Sequence, residues 1–152
     1  LGAQGGFVAC DSQSRRWLLN SARSFIFSTA LPTPIVAAAS AAHDVMTTDP
    51  AIHTHLWDRV TQLAKYLKVP PTGPIFPLII GSESDALLAS AYLNEAGFHV
   101  PAIRPPTVAE GTCRLRITVT AAHRRDDVSE FFEAIAEMMA RIKRSTLDPN
   151  RP

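Results

Sequence analysis

Two small groups of residues in this chain have the types and the setting for chemistry, and both would hold anions. The first is Arg104, in the stretch IRPPTVAEGTCRLRITVTAAH that runs from Ile103 to His123. Proline fixes φ near −65° and pushes the residue before it toward extended backbone, so Pro105 and Pro106 keep Arg104 on chain that is ordered before any ligand arrives. A guanidinium mounted in this way suits a carboxylate, which it can grip through two parallel charge-assisted bonds. The second group is Ser28 and Thr29 in SFIFSTALP, two hydroxyls at the end of a strand-like run and just ahead of a proline-started helix. Hydroxyls and backbone N–H groups in such a place can hold a phosphate. A carboxylate site and a phosphate site in successive α/β units point to a phosphorylated cofactor with an acidic small substrate. Taken singly, each also fits an ordinary strand end.

Other conspicuous residues have simpler explanations. His53 and His55 in HTH are two apart, so on a helix they do not share a face; with no third ligand at suitable spacing, no metal site is expected. His123 precedes RRDD and reads as a histidine of a helix start or of the core. Met138 and Met139 belong to the apolar face of the last helix, and RIKR at Arg141 to Arg144 places positive charge at a helix C-terminus, where the dipole favours it.

Composition narrows the class of partner. With 152 residues, 46% hydrophobic and 19% charged, the chain reads as a globular protein, and its length alone suits one ordinary domain. A formal charge of +1 gives no electrostatic reason to expect nucleic acid or an anionic membrane. Cys10 and Cys113, far apart and set in apolar runs, read as reduced core thiols in a reducing, cytoplasmic setting, with an organelle-targeted full-length form also compatible. No apolar run approaches the roughly 18 residues that span a bilayer.

The elements that must position these residues follow from periodicity and punctuation. Gly5 and Gly6 permit a tight turn, and Phe7–Cys10 reads as a short strand; Asp11 or Ser12 caps a helix carrying Trp17, Leu18 and Ala22; Phe25–Ser28 returns to strand. Pro32 and Pro34 open an alanine-rich helix over Ile35–Met46, Asp49-Pro50 interrupts it, and a second helix runs over Ala51–Leu67 with Ile52, Leu56, Val60, Leu63 and Leu67 on one face. Then come a strand (Ile75–Ile80), a helix from Ser82 or Ser84 to Glu95 ended by Gly97, a strand (His99–Ile103), a hairpin through PPTVAEGT, a strand (Arg114–Thr120) and a closing helix (Asp126–Arg144). This β-α-β-β-α order, with both helices on one face of the sheet, is an α/β sandwich. The polar, proline-bearing STLDPNRP is expected to be disordered. The start, LGAQGGFVAC, has no initiator methionine or leader and reads as cut from something longer.

GAQGGF, RSFIFSTALP and GFHVPAIRPPTVAEGTCRLRITVTAAH, in that order and separation, resemble the carboxyl-terminal part of the α-oxoamine synthases, fold-type I enzymes that use pyridoxal 5'-phosphate. The resemblance spans the chain except its last dozen residues. It implies the end of a large cofactor-binding domain (1–34), connecting helices (35–69), a small C-terminal α/β domain (70–144) and a tail (145–152). Arg104 matches the family's carboxylate-binding arginine, and Thr107 lies at the same mouth as a substrate contact. Ser28 and Thr29 match the hydroxyls that, in family homodimers with shared active sites, reach the cofactor phosphate of the neighbouring subunit. Gly5 and Gly6 match the turn after the Schiff-base lysine, which by this register stands two positions before Leu1, so these residues alone are expected to be inactive. The IRPP form looks most like that of the branch joining L-alanine to a pimeloyl thioester, on coenzyme A or a carrier protein, in biotin biosynthesis. Ala109 and Glu110 depart from the usual proline and small residue of that branch. Branches with other acyl and amino-acid substrates, and a non-catalytic module that pairs with a complete subunit, are the alternatives.

Overall fold

A computed structural model describes residues 2–146, which divide by internal packing into two units, Leu1–Pro50 and Ala51–Pro152. In the first unit, Asp11 opens α1 (Ser12–Ser21) by accepting from the N–H groups of Gln13 and Ser14 at 2.8 and 2.9 Å, the side-chain cap that its position suggests. A single turn, α2 (Arg23–Ile26), and α3 (Thr33–Thr48) follow, the latter with proline in its first turn. No residue of these three helices is buried within the unit.

Two expected strands are absent from the first unit. Phe7–Cys10 has no regular structure, and most of FIFS lies in or beside α2 instead of a strand. A strand needs a ladder partner for its N–H and C=O groups, and the described residues of this unit include none. The backbone is satisfied locally instead, Ile26 N bonding Ala22 O and Phe27 N bonding Arg23 O, both at 3.0 Å. Cys10 is exposed, contrary to its expected core position, because the Phe7–Cys10 run finds no ladder partner among the described residues; Cys113 is buried as expected, and both thiols are free.

The second unit begins with α4 (Pro50–Leu67), followed by β1 (Ile75–Gly81), α5 (Glu83–Glu95), β2 (Ala102–Ile103), β3 (Cys113–Thr118) and α6 (Arg125–Thr146). The sheet order is β1-β3-β2, antiparallel throughout. On β3, Cys113, Leu115 and Ile117 point inward, while Arg114, Arg116 and Thr118 stay partly or fully exposed. This period of two gives the sheet one covered and one open face. Register places Leu115 opposite Leu78 and Ala102, and Ile117 opposite Phe76. One core joins these side chains to Ala89 and Leu93 of α5 and to Val128, Phe131, Ile135 and Met138 of α6. Val60, Leu63 and Ala64 of α4 complete it. Gln62 ties α4 to α6 by donating to Arg125 O at 2.9 Å, and Tyr66 stacks on Phe132 with ring centroids 4.5 Å apart.

Helix boundaries fall close to expectation, strand boundaries less so. Gly97, at φ +90°, takes the left-handed position after α5 that favours glycine. β2 is three residues shorter than expected because Val100 O accepts from the Ser90 hydroxyl at 2.6 Å and Pro101 has no N–H to give. β3 starts and stops earlier than expected, at Cys113 and Thr118. The tail expected to begin at 145 is still helical through Thr146, and the rest of it lies outside the described residues.

The N-terminus of α6 carries a pH-dependent contact. Asp127 Oδ2 accepts from Arg124 N at 2.8 Å, and its Oδ1 accepts from the Arg124 guanidinium at 2.8 and 3.0 Å. The guanidinium first, and the backbone bond second, hold this carboxyl below its ordinary value of 3.8. A depressed carboxylate contributes stability above the unfolded value and loses it as pH falls through the folded value. Asp127→Asn should therefore be less stable than the parent at neutral pH, and the difference should vanish in acid below 3.8; urea midpoints measured across pH check this.

Candidate active site

Arg104 follows β2 directly, and the pairing of Ile103 with Arg114 fixes the chain that presents it. Thr107 N donates to Arg104 O at 3.0 Å, closing a turn in which the Pro105–Pro106 peptide is cis. Arg104 and Thr107 stand at the two ends of one turn at the head of the β2–β3 hairpin. The Arg104 side chain is about half exposed, and its Nη1 donates to Glu83 Oε1 at 2.7 Å. Nε and Nη2 make no hydrogen bond to any described residue.

Sequence reasoning missed Glu83. It is the first residue of α5, after the Ser82 cap whose hydroxyl accepts from Asp85 N at 3.1 Å. An acidic residue there is explained by the helix dipole alone, so only its distance from Arg104 shows the second role. Arg114 is otherwise engaged, its Nε donating to Thr112 O at 3.1 Å, and Arg116 lies on the open face of the sheet.

The other predicted residues lie in the first unit. Ser28 and Thr29 are exposed between α2 and α3, and their hydroxyls bond to no described residue. Gly5 has φ +105°, and a Cβ there would stand 2.8 Å from Leu31 Cδ1, so the glycine turn approaches the segment just beyond Thr29. A Cβ on Gly6 would meet nothing within 4 Å. Two exposed hydroxyls with no hydrogen-bond partner among the described residues, near a glycine turn that comes up against Leu31, have the chemistry to donate to a phosphate group. His123 is exposed in the turn leading to α6, where its Nδ1 accepts from Thr120 N at 3.2 Å, and His53 accepts from the Trp57 indole at 2.9 Å. No helix among the described residues is long and apolar enough to cross a membrane.

The fold and these residues define a class. The family described as aminotransferase class I and II matches residues 1–135, and the chain belongs to it. Among its relatives are 8-amino-7-oxononanoate synthases: that of Arabidopsis thaliana is 42% identical over 138 residues, covering 91% of this chain and 29% of the relative. A putative 8-amino-7-oxononanoate synthase of Desulforudis audaxviator is 46% identical over 144 residues, covering 91% of this chain and 38% of the relative. The resemblance read from the glycine, hydroxyl and IRPP blocks is borne out, and the chain spans about a third of the length of these relatives. Serine palmitoyltransferase of Sphingomonas wittichii superposes with a TM-score of 0.82 at 23% identity, over 93% of this chain and 38% of that one. An 8-amino-7-oxononanoate synthase of Francisella tularensis superposes with a TM-score of 0.70 at 20% identity, over 86% of this chain and 40% of that one. The fold is therefore that of the fold-type I enzymes, as expected.

Proposed function

We infer that these residues are part of a pyridoxal-phosphate-dependent acyltransferase that condenses L-alanine with a pimeloyl thioester, releasing carbon dioxide and the thiol and forming 8-amino-7-oxononanoate. The observation that carries this reading is Arg104: a guanidinium on fixed backbone with its Nε–Nη2 edge free, within the IRPPTV block. Arg104 takes the carboxylate of the amino acid, and Thr107 lies beside the same turn to touch substrate. Ser28 and Thr29 hold the cofactor phosphate, and Gly5 and Gly6 make the turn that follows the Schiff-base lysine. Lys65, Lys68 and Lys143 are exposed and lack the desolvated setting of a reactive amine, so none of them is proposed as the Schiff-base lysine. When bound, the cofactor supplies an electron sink at the amino acid's α-carbon. The working enzyme is a cytoplasmic homodimer in which Ser28 and Thr29 reach the neighbour's cofactor, and a fully active monomer by light scattering contradicts this arrangement.

The test is an assay of the full-length gene product with pimeloyl-coenzyme A and, in turn, L-alanine, glycine and L-serine. Formation of 8-amino-7-oxononanoate from L-alanine at a higher kcat/KM than the other two supports the reading. Preference for glycine or serine assigns the enzyme to another branch, and no turnover with any of them leaves a module that pairs with a complete subunit. A second experiment concerns the phosphate. Losing one hydroxyl bond to a charged group costs about 1.5 kcal/mol, so Thr29→Ala should retain the cofactor roughly tenfold less tightly in equilibrium dialysis; unchanged retention would remove Thr29 from the site.

A further inference from the structure

The contact between Arg104 and Glu83 joins two rigid pieces of backbone that are 21 residues apart in sequence. Glu83 is held by the first turn of α5, whose cap is made by Ser82. Arg104 is held by the Ile103–Arg114 pair on one side and the turn closed by Thr107 on the other. Both side chains are about half exposed, so an ion pair between them contributes little to stability. What the pair does is orient. An arginine side chain has about 2 kcal/mol of rotamer entropy to lose, and a contact that immobilises it beforehand removes part of that cost from ligand binding.

Which nitrogen is held matters as much as the holding. A carboxylate grips arginine through two neighbouring N–H groups, along the Nη1–Nη2 edge or the Nε–Nη2 edge. Glu83 occupies Nη1 at 2.7 Å, which leaves Nε and Nη2 side by side and free of described partners. We propose that Glu83 is a positioning residue for the amino-acid substrate: it holds Arg104 by Nη1 and so presents the Nε–Nη2 edge to the substrate carboxylate. This rests on the reading of Arg104 as the carboxylate-binding group. An incoming carboxylate then meets a guanidinium whose charge Glu83 already offsets, so binding depends on the paired hydrogen bonds more than on net charge.

The experiment uses the full-length holoenzyme and L-alanine, with the dissociation constant read from the change in cofactor absorption, and with KM and kcat read with pimeloyl-coenzyme A. Glu83→Ala should raise both the dissociation constant and KM for L-alanine about fivefold, the upper range for an exposed pair, with a smaller change in kcat. Glu83→Met keeps length and helix preference without an acceptor, and should show the same loss if the alanine variant folds poorly. Glu83→Gln keeps an oxygen that accepts from Nη1 and should restore the parent value. In an Arg104→Ala background, Glu83→Ala should have no further effect. Unchanged or tighter L-alanine binding in Glu83→Ala or Glu83→Met overturns the proposal, as does a loss that persists without Arg104 or is not rescued by glutamine. If Arg104→Ala itself leaves L-alanine binding unchanged, the reading of Arg104 has failed; if it weakens binding and Glu83→Ala does not, only the role of Glu83 has failed.

Discussion

Leu115→Ala should destabilise the second unit by about 2–5 kcal/mol, the range for truncating a fully buried leucine whose surroundings cannot collapse. Leu115 is fully buried on the central strand, opposite Leu78 on one side and Ala102 on the other, with α4, α5 and α6 contributing to the core it joins. Strands on both flanks and helices over the face leave little freedom to close the hole, so the cost includes a cavity as well as lost transfer energy. Arg116, one residue on, points to the open face, and Arg116→Ala should change stability by no more than about 0.5 kcal/mol. Urea unfolding of the 152-residue chain followed by circular dichroism compares the two variants. Because a slip of one residue in the ladder would exchange the two faces, a large effect at Arg116 and a small one at Leu115 would contradict the register of β3.

The helices were legible where spacing and punctuation agreed. α4 carries Val60 and Leu63 on the face read from the sequence, α5 ends at the glycine that suits a left-handed position, and α6 buries Val128, Phe131, Ile135 and Met138. The short apolar runs were not legible in the same way. FVAC and FIFS have strand-like composition, yet Phe7, Phe25 and Phe27 are 79%, 65% and 77% exposed, and a run of four residues carries no information about whether a ladder partner lies nearby. The site divides along the same line. The stiffness around Arg104 is a local property of two prolines and could be read directly; Glu83 reaches it only because the β1–α5 junction and the β2–β3 hairpin meet in space, and nothing in the spacing of the two residues announces that.

Arg104→Ala should weaken L-alanine binding to the full-length holoenzyme by about 2–4 kcal/mol, roughly 30- to 700-fold, the cost of removing one member of a charge pair that, in the proposed reading, the bound substrate and the complete active site desolvate. In the proposed reading Ser28 and Thr29, not Arg104, hold the cofactor, so its absorption before alanine is added should be unchanged. Arg104→Lys should recover only part of the loss, since a single ammonium replaces a planar fork and cannot form two parallel bonds. The most direct measurement is a spectroscopic titration of the parent, Arg104→Ala and Arg104→Lys holoenzymes with L-alanine. The account predicts dissociation constants rising in the order parent, lysine, alanine, from a common starting spectrum. Equal affinity in the parent and Arg104→Ala would contradict it and return Arg104 to an ordinary surface arginine.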